Sequence, residues 1–588
     1  MRTSSVWVPR RPSPAALLFA ALVAATVGAF FVTTRLKRSA PVIERLTFNR
    51  HFSPNGDSRF DYVQFALRLR HTDDATISIV TRDGTRVKAI ADNIRIEDGS
   101  RFRFRWDGRT GSGRPAPNGE YHVRVSLRRQ GRVVTSGRKI FLDTIPPNPV
   151  VGYVKPSVLT PGRGNAATLR YSGPKRRPVL LVYRTDLKHP RLVSRRVARS
   201  GRDVLRWNGR VGRAQRLAPA GSYLLAVRVR DAAGNVGPAE LPPRRGAVRG
   251  HPGLTVRYLA AAPVLHPVRA GAVTTFRVFA AGRRYRWRVH ALSERRASAH
   301  GTSKAGMLHV RAPRGGSRVA VLELRSGRHR YRLPFAVQGR GHRRVLVVLP
   351  AVTWQALNPV EVNGEGYPDM LPRDHGVPLE RPFAKRGLPP GFAGTTELLG
   401  YLDGARLRYD VTTDVALARA GERSLRRYTG VLFAGAERFA PATLTPALAG
   451  YVKRGGRLAW VGTRGFSQSV ALDGGTIVRG RPTRFLGEQV RVERGPRALV
   501  VLGDRVDFFR GVSGAFGPFP HLEPLIRLPS GSRLLASAGA EPRRPDVVVY
   551  RYRRGVVARI GVDGFARSLE TSPAASRIMR RLWDLLSR

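Results

Sequence analysis

A motif that occurs twice, about 101 residues apart, constrains the fold of this chain more than any other feature. Each copy contains a tryptophan, a glycine turn, a Pro-x-Gly turn and a strand in which apolar and polar residues alternate. In a small β sandwich the indole of such a tryptophan closes the core, and the turns reverse the chain beside it. The copies are Trp106-Asp107-Gly108-Arg109 with Pro117-Asn118-Gly119-Glu120-Tyr121, and Trp207-Asn208-Gly209-Arg210 with Pro219-Ala220-Gly221-Ser222-Tyr223. The repeat therefore predicts two tandem β sandwiches, over residues 42–146 and 150–242.

Alternating segments also predict individual strands on both sides of the repeat. The first sandwich has them at residues 65–70, 76–80 and 101–106, where one face carries apolar side chains. The segments at residues 275–279 and 285–289 alternate in the same way. We therefore expect a third β domain over residues 252–339.

The start of the first sandwich carries a second recognisable motif, His51-Phe52-Ser53-Pro54-Asn55-Gly56-Asp57. This motif resembles the opening "FSPNGD" of bacterial extracellular immunoglobulin-like modules related to the flagellar hook-capping protein. The resemblance covers about residues 42–240, and the second copy lacks the opening motif. Such modules act as spacers or adhesive units, which is the role that the resemblance implies.

The same loop contains side-chain oxygens that could bind a calcium ion. Asn55, Asp57 and Asp61 are ligands of the type that Ca²⁺ prefers in loops. The alternative is a turn in which these side chains hydrogen-bond to their own backbone. Both interpretations remain open from the sequence.

The pattern changes after residue 342, where short continuous apolar runs indicate buried parallel strands. These runs lie at residues 343–350, 430–434, 457–462, 547–550 and 556–561, and helical segments lie at 395–404, 444–455 and 573–586. Alternation of strands with helices predicts a doubly wound α/β domain over residues 342–588. Ligands of such sheets bind beyond the carboxyl ends of the strands.

This part of the chain resembles the carboxy-terminal, glutamine-amidotransferase-like domain of the N,N-dimethylformamidase large subunit. The resemblance rests on segments at residues 353–358, 409–414, 432–439 and 455–459. It implies a mononuclear iron hydrolase whose ligands are one tyrosine and two glutamates. Leu357 stands where the family has its tyrosine, Glu437 matches one glutamate, and no residue can be assigned to the second. The family's iron site is therefore expected to be incomplete.

The candidate site residues follow from this resemblance and from the predicted strand ends. The ligand-binding candidates are Trp354, Gln355, Asn358, Glu437 and Arg438. The catalytic candidates are Glu437, His521 and Glu523, which could form an acid/base or metal cluster if the fold brings them together. A histidine between prolines is otherwise a loop residue. Asp414 and Asp563 also lie near predicted element ends, where capping roles explain them equally well. No cofactor is firmly indicated; the alternatives are Fe or Zn in this domain and Ca in the 51–61 loop.

Composition narrows the chemistry and suggests partners. The 588 residues contain no cysteine, which excludes disulfides, thiolate nucleophiles and cysteine-ligated zinc or iron–sulfur clusters. The formal charge is +64, of which +48 lies in residues 1–341, and nearly all of the basic residues are arginine. This bias suggests an anionic cell-envelope polymer or lipid as a partner, whereas nucleic acid is not favoured. The alternative is a solvated arginine-rich surface with no partner, and the sequence does not indicate an oligomeric state.

Residues 15–33 form an apolar run flanked on both sides by arginine and lysine. The run is long enough to predict an uncleaved, single-pass membrane anchor, with residues 1–14 as a cytoplasmic tail and the rest extracytoplasmic.

Together these features predict a membrane-anchored protein in which a β-sandwich stalk presents a non-catalytic, amidotransferase-like domain for binding or envelope structure. The rival hypothesis is a surface hydrolase that acts on amide bonds.

Overall fold

The computed structural model describes residues 14–37, 42–162, 164–238, 250–294, 296–384 and 386–588. The chain divides into two compact units. The smaller unit is Met1–Asn148 with Val229–Pro238, and the larger is Pro149–Arg228 with Ala239–Arg588. Most of the predicted 1–14 segment lies outside the described residues, as does the predicted end of the second sandwich at 242.

Helix α1 (Pro14–Lys37) contains the segment predicted to cross a membrane. Crossing a bilayer requires about 20 consecutive, predominantly apolar residues in one helix. No helix in the described part of the chain is both long and apolar enough to do so. This finding overturns the predicted anchor at residues 15–33 and the single-pass membrane location that rested on it.

The smaller unit contains a sandwich of two antiparallel-rich sheets. One sheet has the strand order β1-β3-β6, and the other has the order β2-β9-β7-β4-β5, with β8 paired to β7. The alternating apolar residues of β3, β4 and β7 face one another as the core. The strands are β1 (Ile43–Phe48), β2 (His51–Phe52), β3 (Val63–Leu69), β4 (Asp73–Thr81), β5 (Arg86–Ile96), β6 (Phe102–Trp106), β7 (Gly119–Leu127), β8 (Arg132–Thr135) and β9 (Ile140–Leu142).

A second sandwich opens the larger unit. Its sheets have the orders β10-β12-β15 and β11-β20-β18-β13-β14. Strand β20 lies within the segment predicted as the third β domain, yet it pairs with β11 and β18 of this sandwich. The strands are β10 (Val150–Lys155), β11 (Val158–Leu159), β12 (Ala167–Ser172), β13 (Arg176–Arg184), β14 (Arg191–Val197), β15 (Val204–Trp207), β16 (Arg210–Val211), β17 (Arg216–Leu217), β18 (Gly221–Arg230), β19 (Val236–Gly237, in the smaller unit) and β20 (Gly253–Val256).

The repeated motif has the same geometry in both sandwiches. Each indole is fully buried and donates its Nε1 hydrogen to a backbone carbonyl, from Trp106 to Arg109 at 2.8 Å and from Trp207 to Arg210 at 2.9 Å. Gly108 and Gly209 adopt a positive φ, and a Cβ on either would meet a proline, Pro54 in the first copy and Pro161 in the second. Pro161 therefore occupies the place of the opening-motif proline.

A third pair of sheets follows, with the orders β21-β23-β26 and β22-β28-β27-β24-β25. Buried apolar residues of these strands are continuous with the core of the carboxy-terminal domain. The strands are β21 (Ala260–Ala261), β22 (Val268–Arg269), β23 (Val273–Phe279), β24 (Tyr285–Ala291), β25 (Ala299–Ser303), β26 (Met307–Arg311), β27 (Arg318–Ser326) and β28 (His329–Gln338). The predicted domain boundaries themselves stay a prediction.

The carboxy-terminal domain is built on a nine-stranded sheet with the order β31-β29-β32-β34-β43-β42-β41-β38-β39. The first five of these strands are parallel, and the other four are antiparallel. The strands are β29 (Val345–Leu349), β30 (Gly376–Pro378), β31 (Asp410–Thr413), β32 (Gly430–Phe433), β33 (Phe439–Pro441), β34 (Arg457–Val461), β35 (Gln468–Asp473), β36 (Thr476–Pro482), β37 (Gln489–Val490), β38 (Glu493–Asp504), β39 (Ala515–Leu522), β40 (Leu525–Arg527), β41 (Ser532–Gly539), β42 (Val547–Tyr552) and β43 (Gly555–Ile560).

Helices cover the parallel half of this sheet, as their apolar faces predict. They are α2 (Ala351–Ala356), α3 (Phe392–Gly404), α4 (Asp414–Ala420), α5 (Leu444–Lys453), α6 (Phe565–Ser568) and α7 (Pro573–Ser587), with 3₁₀ turns at Glu422–Leu425 and Phe485–Gly487. The predicted helices at 395–404, 444–455 and 573–586 are confirmed within a few residues.

The predicted doubly wound α/β fold is wrong for this domain. Between β34 and β43 the chain forms strands β35–β42 with no α-helix, and β42 pairs antiparallel to β43. A short apolar run cannot distinguish a parallel from an antiparallel buried strand, because both bury two faces. The described chain as a whole is mostly β, with 45% strand and 14% helix.

Candidate functional site

The candidate site lies at the carboxyl ends of the parallel strands. Among the strands of the nine-stranded sheet, β29 comes first along the chain. Strand β31 pairs with one side of it, and β32 pairs with the other. Connections from neighbouring strands therefore leave in opposite directions beside β29, where a crevice can hold a ligand. Asp414 follows β31 directly, and Glu437 follows β32.

Asp414 and Glu437 form a fully buried carboxyl pair at this edge. Asp414 accepts hydrogen bonds from the backbone amides of Val352 at 2.9 Å and Val415 at 2.7 Å. Neither carboxyl oxygen of Glu437 accepts a bond from another described residue. With a proton between them the two carboxyls hydrogen-bond to each other. Thr413, not Asp414, caps helix α4, by accepting a bond from the Ala416 amide at 3.1 Å.

Burial is the main cause of the raised pKa values of this pair. It raises the pKa of Asp414 to about 7, against the opposing effect of the two backbone amides. It also raises the pKa of Glu437 well above its ordinary value, and the neighbouring Asp414 charge raises it further. No described cation compensates the two groups. The raised pKa favours the protonated form of Glu437, which acts as a hydrogen-bond donor to Asp414.

The residues present do not fit the iron site that the family resemblance implies. Leu357 supplies no oxygen where a tyrosine is needed, and both Asp414 oxygens accept backbone hydrogen bonds. Within the described ranges no group of three His, Asp or Glu side chains is arranged to hold a metal ion. Two carboxyl groups that share a proton do not make a stable iron or zinc site in water.

More accessible side chains surround the loop that follows β34. His521 Nδ1 lies 3.4 Å from Asp563 Oδ2, and both side chains are nearly half exposed. Asp563 also accepts a hydrogen bond from the Thr463 hydroxyl at 3.0 Å. Arg438 is half-buried with its guanidinium 4.9 Å from the Phe439 ring, and burial, then the nearby Arg464, lower its pKa.

Glu523, the third catalytic candidate, belongs to a separate buried ion cluster. It accepts a hydrogen bond from Arg559 at 2.6 Å and another from the Arg464 amide. Arg559 also lies 3.8 Å from Glu488, which accepts a bond from the Tyr550 hydroxyl at 2.6 Å. Glu437, His521 and Glu523 therefore each have a different partner, and their assignment as catalytic residues stays a prediction.

Three predicted ligand-binding residues are buried in helix α2 and just beyond it. Gln355 donates to the carbonyl of Arg381 at 2.9 Å, and Asn358 bridges Gln355 and the carbonyl of Pro382. The Arg381 guanidinium is buried and donates to the carbonyls of Val360, Asp369 and Gln355. Trp354 is 6% exposed and packs edge-on against Phe392.

Two hydrogen bonds from threonine hydroxyls hold the segment between α2 and β30 against the second sandwich. Thr255 donates to the carbonyl of Glu361 at 2.8 Å, and Thr185 donates to Gly366 at 2.5 Å. The structure thus places Gln355 and Asn358 where they position a loop. Neither is on an open ligand surface.

The oxygens of the predicted calcium loop bond to their own backbone. Asp61 accepts from the Gly56 amide at 2.9 Å, Asn55 from Asp57 at 3.0 Å and Asp57 from Arg59 at 2.8 Å. This is the turn alternative, and calcium binding stays a prediction that no bond in the loop requires.

Sequence reasoning misses three features of the site: the pairing of Asp414 with Glu437, the buried ion cluster around Arg559, and the hydrogen bonds from Arg381 to three backbone carbonyls. Part of the signal for the first was present, because Asp414 lies near a predicted element end and Glu437 follows the strand predicted at residues 430–434. Arg381 and Arg559 could not be recognised among the 95 arginines of the chain, since burial distinguishes them and sequence does not.

The fold and site together define a class of protein: β sandwiches followed by a mixed-sheet domain with polar residues at its parallel edge. Residues 308–508 match the family described as "N,N-dimethylformamidase beta subunit-like, C-terminal". The match begins in the third β region and ends four residues after β38, so it differs from the predicted 342–588. No curated protein matches the chain.

Solved structures with β sandwiches are similar to parts of the chain. The tetra-tandem repeat of a large adhesion protein is 12% identical, with a TM-score of 0.20, over 50% of this chain and 72% of that one. Fibronectin(III)-like modules of Clostridium thermocellum CbhA are 13% identical, with a TM-score of 0.18, over 36% and 93%. For β-galactosidase from Bacillus circulans sp. alkalophilus the identity is 10%, the TM-score 0.26 and the coverage 41%; this chain spans only 31% of that enzyme.

Proposed function

We propose that this protein functions in binding, and that its N,N-dimethylformamidase-like domain does not carry out metal-dependent hydrolysis. The observation that carries the proposal is the state of Glu437, the one residue that matches a glutamate ligand of the family. Its carboxyl group is completely buried, and its interacting partner is the acidic side chain of Asp414.

The buried pair has a structural task in this proposal. It joins the start of α2, the start of α4 and the loop after β32, because Asp414 accepts from both helix termini while Glu437 donates to Asp414. A neutral Glu437 costs less to bury than a carboxylate would. The pair therefore closes the edge of the sheet where an active enzyme of the family would need accessible metal ligands.

The exposed part of the same edge suits an anionic ligand. Arg464 is close enough to lower the pKa of Arg438, and no described carboxylate lies within 4.0 Å of either guanidinium. Two such guanidinium groups can bind a carboxylate or phosphate group through paired hydrogen bonds. His521 and Asp563 extend this polar surface.

Metal content of the purified full-length chain tests the proposal. After incubation with Fe²⁺ or Zn²⁺ and removal of excess metal, we expect far less than one ion per chain and no hydrolysis of N,N-dimethylformamide. Stoichiometric metal that is lost in Glu437→Gln, but retained in the exposed control Glu541→Gln, would overturn the proposal. Hydrolysis that depends on Glu437 would overturn it as well.

A further inference from the structure

A large open cleft lies within the larger unit, between the second sandwich and the third β region. Its volume is about 1080 Å³. Strand β17 and the residues around it form one wall, and the hairpin between β27 and β28 forms the other. The charged and aromatic residues of the lining are Arg184, Arg216, Tyr258, Arg283, Arg328, His329, Arg330 and Arg386.

The lining of this cleft carries six arginines and no acidic residue. Two of the arginines have carboxylate partners: Arg184 with Asp186 at 2.7 Å and Arg330 with Glu323 at 2.7 Å. The other four, which we call the free arginine set, are Arg216, Arg283, Arg328 and Arg386. In the described part of the chain no carboxylate lies within 4.0 Å of any of these four.

A second concavity of about 680 Å³ continues the cleft. The two share Arg283, Ser326 and Gly327, and the second adds Arg284 and Lys304 to the lining, again without an acidic residue. The result is an elongated basic track instead of a closed pocket. A track of this shape can contact several anionic groups in succession along a linear molecule.

The aromatic residues of the cleft do not offer a platform for nucleobases. The rings of Tyr258 and His329 stack on each other with centroids 4.1 Å apart, and Tyr258 is 5% exposed. Burial, then Arg328 and Arg283, lower the pKa of His329, so the local potential is positive. Proteins that bind single-stranded nucleic acids combine such a potential with accessible aromatic faces, which this lining lacks.

We propose that this cleft binds an acidic polysaccharide, a linear chain of sugars with carboxylate or sulfate groups at regular intervals. The free arginine set supplies guanidinium groups from both walls, and each can pair with one anionic group. Partly apolar lining residues such as Leu217 and Pro219 suit the non-polar faces of sugar rings. This inference is independent of the carboxy-terminal edge described above, because it involves none of the same residues.

The test measures binding of the full chain to two probes, a heparin octasaccharide and an oligogalacturonate, by titration calorimetry. The first variant is Arg283→Ala/Arg328→Ala, and the second, Arg216→Gln/Arg386→Gln, removes the other two members of the set. The matched control is Arg196→Ala/Arg199→Ala, at and just beyond the end of strand β14, which removes the same charge at exposed positions that do not line the cleft. Thermal unfolding of each variant establishes that it is folded.

We expect at least one probe to bind, about tenfold weaker for each cleft variant and less than about twofold weaker for the control. Binding to both probes indicates that regularly spaced charge suffices, and binding to one alone identifies the preferred acidic group. No binding of either probe would overturn the proposal, as would equal weakening in the control. Tighter, cleft-dependent binding of oligo-dT or of phosphatidylglycerol vesicles would also overturn it.

Discussion

Replacing Glu437 by glutamine should change how the stability of the larger unit depends on pH. Glutamine has nearly the same shape, but it carries no dissociable proton. Its amide can donate to Asp414 as the protonated Glu437 does, so Asp414 keeps this hydrogen bond and the raised pKa that burial causes. The variant therefore removes the shared proton while it keeps the packing of the buried pair.

The sign of the effect follows from the direction of the pKa shifts. Folding raises both pKa values, that of Asp414 to about 7, so the folded state retains protons that the unfolded state releases. The stability from this pair is complete below the unfolded pKa values and is lost as the pH rises through the folded ones. Each retained proton lowers the free energy of unfolding by about 1.4 kcal/mol per pH unit.

The expected magnitude is therefore a difference in slope. Between the unfolded pKa values and pH 7 the wild type retains two protons, which corresponds to about 2.7 kcal/mol per pH unit. In Glu437→Gln the proton of Glu437 is absent, so Asp414 alone contributes about 1.4 kcal/mol per pH unit below pH 7. Other carboxyl groups with raised pKa values, such as Glu361 and Asp546, are present in both proteins and cancel in the comparison.

Urea denaturation between about pH 5.5 and 8, followed by tryptophan fluorescence, measures the two slopes. Asp414→Asn provides a second variant if Glu437→Gln is too unstable to compare, and Glu541→Gln at an exposed position is the control. Equal slopes in wild type and both variants would refute the argument, because the pair would then not retain a proton on folding.

Three further predictions concern stability. Arg381→Met should lower the free energy of unfolding of the larger unit by about 3 kcal/mol, because three buried carbonyls lose their donor; urea denaturation beside the exposed control Arg373→Met measures this, and an equal effect of both would contradict it. Trp106→Ala should destabilise the smaller unit and Trp207→Ala the larger, each by about 3–5 kcal/mol; hydrogen exchange assigns the loss to a unit, and faster exchange in both units for both variants would count against it. Burial alone would raise the pKa of Glu323, but hydrogen bonds from Arg288, Arg325 and Arg330 lower it to about 2. Its stabilisation is thus present above the unfolded pKa and lost as the pH falls towards 2, so Glu323→Gln should flatten the acid branch of the stability curve; an unchanged branch would refute this.

Much of the local structure could be predicted because it depends on neighbours in sequence. The alternation around Trp106 and Trp207 predicts strands and turns. In both copies the proline carbonyl of the Pro-x-Gly turn accepts a hydrogen bond from the tyrosine hydroxyl four residues later. The continuous apolar runs identified β29, β32 and β34 almost to the residue. The sequence does not reveal the opening segment of the second sandwich. Leu159 and Pro161 pack against the glycine turn as the opening motif does in the first sandwich, but the motif sequence itself is absent.

The candidate site was harder to predict because its contacts join distant segments. Glu437 was identified through its family resemblance, whereas its partner Asp414 was assigned equally to a capping role. Gln355 and Asn358 are predicted to bind a ligand, and in the structure their amides donate to the backbone carbonyls of Arg381 and Pro382. Polar side chains that bind a ligand and those that satisfy buried backbone carbonyls look alike in sequence, since both need hydrogen bonds.

Residue order alone therefore establishes the repeated sandwiches, most buried strands, the absence of thiol chemistry and the concentration of positive charge before residue 342. Tertiary structure decides the direction of the strands after β34, the burial of Glu437 against Asp414 and the gathering of four unpaired arginines in one cleft. The physical reason is that periodicity reports only which face of an element is buried. The pKa of a carboxyl group and the charge of a cleft depend on side chains that approach through space from remote parts of the chain.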